Sequence, residues 1–233
     1  MPLTPEISAS LQRVSTATVT TVLLKKGLRR TWMRGPMPLG SAAGKRVVGP
    51  AFTMRFVPMR EDLATPDSWS SPTSTRGAIE AMPAGVIAVV DAMGVRDAGV
   101  FGDILSARML KRGAAALITD GMIRDLAGVV ATGLPVWCSG AAAPASVAAL
   151  TFVGWQQPIG CGGVAVFPDD IIVADGDGAV VIPQAMLAEV AAEAEEQERL
   201  EAWIMQEVEK GAALPGLYPP SSDTKARYER ERK

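Results

Sequence analysis

The chain contains no histidine among its 233 residues. This absence excludes Ser-His-Asp and Cys-His catalytic arrangements, histidine-based zinc sites and the two-His-one-carboxylate iron site. The roles of acid, base and metal ligand must therefore fall to Asp, Glu, Lys, Arg, Tyr, Cys, backbone groups or water. Any metal site built from oxygen ligands favours a hard divalent cation such as Mg²⁺ or Mn²⁺.

Other features are scarce as well. The only two cysteines, Cys138 and Cys161, stand far apart in apolar surroundings, which favours buried thiols over a disulfide framework or a zinc knuckle. The 23 Lys and Arg residues are balanced by 25 Asp and Glu residues, so there is no net basic field to attract nucleic acid. Gly, Pro or a charged residue interrupts each apolar run before it reaches membrane-spanning length, and the first ten residues do not resemble a signal peptide. We therefore expect a cytoplasmic protein without a membrane span.

The 48% hydrophobic content is sufficient for one sizeable core, and we predict a single α/β domain over residues 1–210 with a C-terminal tail at 211–233. Helices are predicted from residue 4 toward Gly27, in the TRGAIEAM segment, from Gly99 to Arg112, and from Gln184 to Lys210. Residues 58–75 are predicted to form a long polar loop. Predicted strands share short runs of apolar or β-branched residues and cover 46–57, 86–93, 115–120, 135–139, 162–167, 170–175 and 179–183.

Strands that alternate with a helix and are apolar throughout are typical of parallel pairing. The predicted fold class is therefore α/β: one layered α/β/β-type domain with a largely parallel central sheet. The short strands between residues 162 and 183 predict a small β-meander or barrel-like part, and the Ala- and Glu-rich segment predicts a long C-terminal helix.

Two loops carry the residues of greatest chemical interest. The strand VIAVVDA leads through MGVRDAGVFGD to Asp103, and the strand AALIT leads through DGMI to Arg124 and Asp125. Parallel neighbours place their carboxyl ends at one edge of a sheet, where active sites of α/β proteins form. We therefore expect two carboxylates and a guanidinium to meet there. Taken singly, Arg124 and Asp125 could also be a solvated pair, and Asp103 an acid that stabilises the start of a helix.

Asp103 is followed at a spacing of D-x20-R-D by Arg124 and Asp125, within the flanks GVFGDILSARMLKRG and ALITDGMIRD. With PAGVIAVVDAMG, GLPVWCSG, GCGGVAVFPDD and ADGDGAVVIP, these segments resemble a family over roughly residues 85–183. That family joins the class II pyruvate aldolases acting on 4-hydroxy-4-methyl-2-oxoglutarate or 4-carboxy-4-hydroxy-2-oxoadipate to the RraA-like regulators of ribonuclease E activity. The chain departs from the family pattern at Pro83-Ala84-Gly85, where Pro-Gly-Asp is expected, at Thr21, where an aspartate is usual, and in loop 58–75.

The resemblance implies a role for each of these residues. Asp125 would ligate a divalent metal, Mg²⁺ or Mn²⁺, and Asp103 would hold water on that metal. Arg124 would contact the keto oxygen and carboxylate of a 2-oxo acid substrate, and the backbone amides of Ile104 and Leu105 would bind the carboxylate. It also implies a homotrimer or homohexamer with the site between subunits.

The leading hypothesis is a metal-dependent lyase that releases pyruvate from a 4-hydroxy-2-oxo acid and decarboxylates oxaloacetate. The alternatives are a non-catalytic protein that binds a ribonuclease, and a related metal-dependent lyase or hydratase acting on a sugar-derived oxo acid. Three minor hypotheses concern side chains outside the D-x20-R-D pattern. A neighbour's Glu195, Glu196 or Glu198 would reach the metal waters, Arg76 would bind a second substrate carboxylate, and Lys111 would form a Schiff base.

Overall fold

The computed structural model describes residues 2–232, which form seven α-helices and nine β-strands. The helices are α1 Pro5–Leu11, α2 Thr16–Lys25, α3 Thr75–Ala81, α4 Asp103–Lys111, α5 Leu126–Thr132, α6 Leu187–Glu209 and α7 Ser222–Glu231. The strands are β1 Trp32–Met33, β2 Met37–Pro38, β3 Val47–Pro58, β4 Ile87–Asp91, β5 Ala116–Thr119, β6 Val136–Cys138, β7 Leu150–Trp155, β8 Ile171–Asp175 and β9 Gly178–Ile182.

The sheet has the strand order β1-β9-β8-β3-β4-β5-β6-β2, with β7 paired to β3. Strands β3, β4, β5 and β6 are joined by parallel ladders, as predicted, and the remaining ladders are antiparallel. The long strand β3 connects the antiparallel and parallel parts of the sheet. It pairs with β8 near its start and with β4 and β7 further along. This arrangement confirms the predicted α/β fold class, with the parallel ladders confined to β3, β4, β5 and β6.

The central strand β4 is buried on both faces, which explains its unbroken apolar sequence. Ala88 and Val90 contribute to a core that includes residues of α3, α4 and α5, whereas Ile87 and Val89 contribute to a second core shared with β8 and β9. A third core lies where α1, α2 and α6 pack on β8 and β9. The parallel strands are therefore fixed from both sides, and their carboxyl ends have little freedom to move.

Two predicted elements differ from the structure, and two observed elements were not predicted. The helix expected to run from residue 4 toward Gly27 is divided into α1 and α2, because the Ser15 side chain accepts the Thr18 backbone N–H at 3.1 Å and starts a new helix. The strand expected at 162–167 is replaced by a turn, in which Gly162 and Gly163 have φ values of 58° and 75°. Strand β7 and helix α5 were not predicted.

The long helix α6 was predicted, and the segment after it is ordered. Helix α7 packs on the second half of α6 in a cluster formed by Leu200, Ile204, Leu217 and Tyr228. The Trp203 and Tyr228 ring centroids lie 5.7 Å apart. Across residues 2–232 we find no helix with the length and apolar character needed to cross a bilayer.

Candidate active site at the ends of β4 and β5

The loops that follow β4 and β5 run beside each other and are joined by backbone hydrogen bonds. The Val100 N–H donates to the Met122 carbonyl at 2.8 Å, and the Arg124 N–H donates to the Phe101 carbonyl at 2.9 Å. The two strands are parallel neighbours, so both loops begin at the same edge of the sheet. The structure thus brings Asp103, at the end of the first loop, next to Arg124 and Asp125 in the second.

Three glycines allow this close approach. A Cβ atom on Gly99 would lie 2.7 Å from the Arg124 backbone nitrogen, and one on Gly102 would lie 2.5 Å from Asp125 Oδ2. On the other side, a Cβ on Gly128 in α5 would lie 2.7 Å from Asp103 Oδ2. Gly102, the residue before Asp103, therefore lies against Asp125, and Gly128, three residues after Asp125, lies against Asp103. Sequence reasoning did not single out these glycines.

Arg124 and Asp125 form an ion pair, with Arg124 Nε 3.2 Å from Asp125 Oδ2. Asp125 adopts a left-handed backbone conformation, with φ 54° and ψ 46°, immediately before α5. Aspartate is one of the few residues other than glycine that adopts this conformation, and such residues concentrate at functional sites. The side chains of Arg124 and Asp125 are 37% and 46% exposed, so both are accessible to a small ligand.

Asp103 is the first residue of α4 and is half-buried. Its Oδ1 accepts the backbone N–H of Ile104 at 2.7 Å, so this amide is already engaged. Ile104 itself is 79% exposed at the rim of the site. Lys111 is exposed at the far end of α4 and does not line the cavity described next.

A cavity of about 410 Å³ contains all of the residues predicted for the site. Asp103, Ile104, Leu105, Arg124 and Asp125 line one part of it. The remaining lining residues come from the segment before α3, from α3, from the loop that precedes α4 and from the loop after β6: Trp69, Thr75, Arg76, Gly99, Val100, Gly102, Ala145 and Ser146. The segment predicted as a long polar loop, 58–75, thus contributes Trp69 to the cavity wall, together with Thr75 at the start of α3.

Two buried aspartates accept hydrogen bonds from backbone N–H groups near the ends of β4 and β5. Asp91 accepts the backbone N–H groups of Met93 and Gly160, both at 2.9 Å. Asp120 accepts those of Ala92 at 2.8 Å and Gly162 at 3.0 Å. Burial raises the pKa of Asp120, and the hydrogen bonds from Gly162 and Ala92 partly offset that rise. These carboxylates hold backbone at the ends of β4 and β5, and neither lines the cavity of Asp103 and Asp125.

The glutamates proposed to reach a neighbouring subunit's site have partners in their own chain. Glu195 accepts hydrogen bonds from Ser10 at 2.7 Å and Arg13 at 2.8 Å, and Glu198 accepts the Ser15 backbone N–H at 2.6 Å. Glu196 forms ion pairs with Arg199 of α6 and with Arg232. A contact across a subunit interface stays a prediction.

The donor atoms at the site suit a hard cation with part of its coordination left to water or substrate. Within the described part of the chain, no three Asp, Glu or Cys side chains are grouped closely enough to bind a metal. Asp103 and Asp125 offer two carboxylates in one accessible cavity. Mg²⁺ is commonly bound in this way, through one or two carboxylates, several waters and the substrate.

Comparison with known families settles the relationship of the chain. The family model described as RraA-like, Aldolase/RraA, matches residues 16–181. The chain belongs to the RraA-like family. The match includes both loops of the site and the strands that precede them.

Members of this family differ in the functions that their names give. The structure of Streptomyces coelicolor RraAS2, described as "an unusual member of the RNase ES inhibitor RraA protein family", is 36% identical with a TM-score of 0.77 and covers 87% of this chain and 97% of that chain. A Halalkalibacterium halodurans protein named "Putative 4-hydroxy-4-methyl-2-oxoglutarate aldolase" is 36% identical over 140 residues, 60% of each chain.

A third relative is a much longer protein. Legionella pneumophila DlpA is 31% identical over 147 residues, which are 63% of this chain and 23% of DlpA. The chain thus spans about a quarter of DlpA and three fifths of the H. halodurans protein.

Proposed function

We propose that the chain is a divalent-metal-dependent lyase that cleaves a 4-hydroxy-2-oxo acid to pyruvate and decarboxylates oxaloacetate. The observation that carries this proposal is the placement of Asp103, Arg124 and Asp125 in one cavity at the start of α4. The H. halodurans relative named for 4-hydroxy-4-methyl-2-oxoglutarate supports the substrate class.

Asp125 and Asp103 would hold Mg²⁺ or Mn²⁺, with Asp125 as the direct ligand and Asp103 acting through water. Their hard oxygen atoms and their access to the cavity fit such a cation. When bound, the cation supplies a Lewis acid that polarises the 2-oxo group and neutralises the charge that develops on it.

In the cleavage, the C3–C4 bond of the substrate breaks and its electron pair forms the enolate of pyruvate. The hydroxyl on C4 loses its proton and becomes a carbonyl. The Arg124 guanidinium donates to the 2-oxo oxygen and the C1 carboxylate, so a positive charge lies where the enolate forms. Asp103 orients the water that accepts the hydroxyl proton and later returns a proton to C3. With oxaloacetate, CO₂ leaves from C4 and the same enolate results.

The first turn of α4 provides the remaining carboxylate donors. The Leu105 amide lies in that turn, where backbone N–H groups attract anions. The Ile104 amide donates to Asp103 Oδ1, so it can bind substrate only after Asp103 turns toward the water. Asp103 therefore has two alternative partners, and substrate binding would release its carboxylate to orient the water.

The test is a lactate-dehydrogenase-coupled assay of pyruvate release from oxaloacetate and from several 4-hydroxy-2-oxo acids. The rate with Mg²⁺ alone is subtracted, because the free ion also decarboxylates oxaloacetate. We expect Asp125→Asn to lower kcat/KM at least about 1,000-fold, whereas Asp62→Asn, at an exposed aspartate paired with Arg60, should leave it unchanged. Undiminished pyruvate release by the Asp125→Asn variant in chelator-treated buffer would overturn the proposal.

The second candidate function is inhibition of a ribonuclease through direct binding, which the description of the S. coelicolor relative supports. The carboxylate at Asp103 favours the lyase, because the resemblance implies that the regulators keep Arg-Asp but lack this upstream aspartate. Tight association with a ribonuclease, without Mg²⁺ binding in calorimetry, would reverse the order. A related lyase or hydratase on a sugar-derived oxo acid would show in the same substrate panel.

The assembly proposed with this function is a homotrimer or homohexamer with the site near a subunit interface. Sedimentation of the purified protein measures the number of chains directly.

A further inference from the structure

Arg76 and Trp69 form a pair on the wall of the candidate active site. The Arg76 guanidinium carbon lies 5.1 Å from the centre of the Trp69 ring, a cation–π distance. Both residues line the cavity that holds Asp103 and Arg124. Trp69 belongs to loop 58–75, so through this contact the loop forms part of the wall of the candidate active site.

The helix that carries Arg76 is fixed to the helix that begins at Asp103. Glu80, one turn after Arg76 in α3, makes two hydrogen bonds of 2.7 Å with Arg108 of α4. The start of α3 is also defined, because the Ser74 side chain accepts the Gly77 N–H at 3.2 Å. Arg76 therefore has a set position relative to Asp103, although its side chain remains exposed.

The charges in the cavity leave Arg76 without a counter-ion. Arg124 pairs with Asp125, whereas no carboxylate within residues 2–232 lies within 4.0 Å of the Arg76 guanidinium. The cavity lining carries two arginines and two aspartates, so a divalent cation would leave it with two excess positive charges. A substrate with two negative charges balances that excess.

We infer that Arg76, supported by Trp69, binds an anionic group at the end of the substrate opposite its 2-oxo acid. The inference rests on the proposed function and deepens it, because it assigns the residues that recognise the second anionic group of the substrate. The flat guanidinium presents donors in a fork that matches a carboxylate or a phosphate. The hydroxyls of Thr75 and Ser146 line the same cavity and offer further hydrogen bonds to such a group.

The experiment measures the binding of two ligands that differ only at the far end. 2-Oxoglutarate carries a terminal carboxylate where 2-oxopentanoate carries a methyl group, and neither has the 4-hydroxyl needed for cleavage. Calorimetry with Mg²⁺ present should show the dicarboxylate binding about 10- to 100-fold more tightly to the unmodified protein. Arg76→Met should reduce this ratio to about 1 and leave the affinity for 2-oxopentanoate unchanged. A third ligand, 2-oxo-4-phosphonobutanoate, distinguishes a phosphate-like group from a carboxylate.

Arg60→Met is the matched control, because Arg60 is exposed, lies in the same loop 58–75 and pairs with Asp62 outside the cavity. Arg76→Lys keeps the charge but loses the fork, and should retain part of the preference. Trp69→Phe should weaken 2-oxoglutarate binding by a smaller factor. Circular dichroism and the melting temperature establish that each variant is folded.

The inference is overturned if the unmodified protein binds both ligands equally, or if Arg76→Met keeps the preference. These outcomes can be distinguished from a failure of the proposed lyase function. A protein that prefers 2-oxoglutarate through Arg76 but releases no pyruvate from any substrate contradicts the lyase and supports the subsite. If pyruvate release requires Asp125 but does not depend on the charge at the far end of the substrate, only the proposed Arg76 subsite is contradicted.

Discussion

Gly128 of α5 faces Asp103 of α4 so closely that a Cβ on Gly128 would lie 2.7 Å from Asp103 Oδ2 and 2.8 Å from Asp103 Cβ. The position of the aspartate at the start of α4 thus depends on the absence of a side chain on the neighbouring helix. Helix stability alone would favour alanine at position 128, because alanine is the better residue within a helix. The placement of Asp103 requires glycine there instead.

Gly128→Ala should therefore reduce pyruvate release without unfolding the protein. Displacing Asp103 by about 1 Å is expected to lower kcat about 100-fold. The gain of about 0.5–1 kcal/mol in helix propensity should keep the free energy of unfolding within about 1 kcal/mol of the original. Coupled assays and urea unfolding measure the two quantities. In the control Gly44→Ala, the added Cβ meets open space, so neither quantity should change.

The two aspartates of the site should differ in their effect on metal binding. Asp125→Asn removes the proposed direct ligand and should weaken Mn²⁺ binding at least about 100-fold, whereas Asp103→Asn, which acts through water, should weaken it about 10-fold. Titration followed by electron paramagnetic resonance gives both constants, with Asp62→Asn as the control. Equal losses for the two variants would contradict the division of roles.

Much of the fold was predictable because its strands bear a clear signal. Strands β4 and β5 are buried on both faces, so their sequences are apolar throughout and identify parallel neighbours. That single inference was enough to expect Asp103 and Asp125 at the same edge of the sheet.

The missed elements differ in local signal: strand β7, LTFVGW, is rich in β-branched and aromatic residues and was overlooked, whereas helix α5 carries little signal. Helix α5 begins after a residue in the left-handed conformation and contains a glycine, so neither its start nor its propensity indicates a helix. Strand β7 contains Gly154 at φ 152° and is defined by its pairing with β3. The contact of Trp69 with Arg76 depends on how loop 58–75 folds back, which no periodicity encodes.

Asp120 should prove important for stability. Asp120→Ala leaves the buried N–H groups of Ala92 and Gly162 without their acceptor, and should lower the free energy of unfolding by about 2–4 kcal/mol. Asp120→Asn keeps an acceptor and should cost less. Urea denaturation at pH 7 measures both, and a loss below about 0.5 kcal/mol for the alanine variant would contradict this role.

The same aspartate predicts a pH dependence. Burial raises the pKa of Asp120 in the folded state, so the folded protein holds this proton more firmly than the unfolded chain. Relative to its protonated form, ionised Asp120 therefore lowers the free energy of unfolding at neutral pH, and this penalty diminishes as the pH falls through the folded-state pKa toward the unfolded value. Relative to Asp120→Asn, the unmodified protein should gain stability on acidification, which parallel urea titrations can follow.

Glu195 should show the opposite pH dependence. Hydrogen bonds from Arg13 and Ser10 lower the pKa of Glu195, so its stabilising contribution is present above the unfolded value of 4.5 and is lost as the pH falls through the folded-state pKa. Glu195→Gln should therefore lower the free energy of unfolding by about 0.5 kcal/mol at pH 7, as for an exposed ion pair, and by progressively less as the pH falls through the folded-state pKa.

The activity of the Glu195→Gln variant separates this structural role from a contact with a neighbouring subunit. Because Glu195 is held by Ser10 and Arg13 of its own chain, pyruvate release should stay within about twofold of the original once Mg²⁺ is saturating. A glutamate that reaches the water around a neighbour's metal would instead lower kcat at least about 10-fold at every Mg²⁺ concentration. Such a loss, with unchanged unfolding at pH 7, would show that Glu195 leaves Arg13 in the assembled protein and serves the adjacent site.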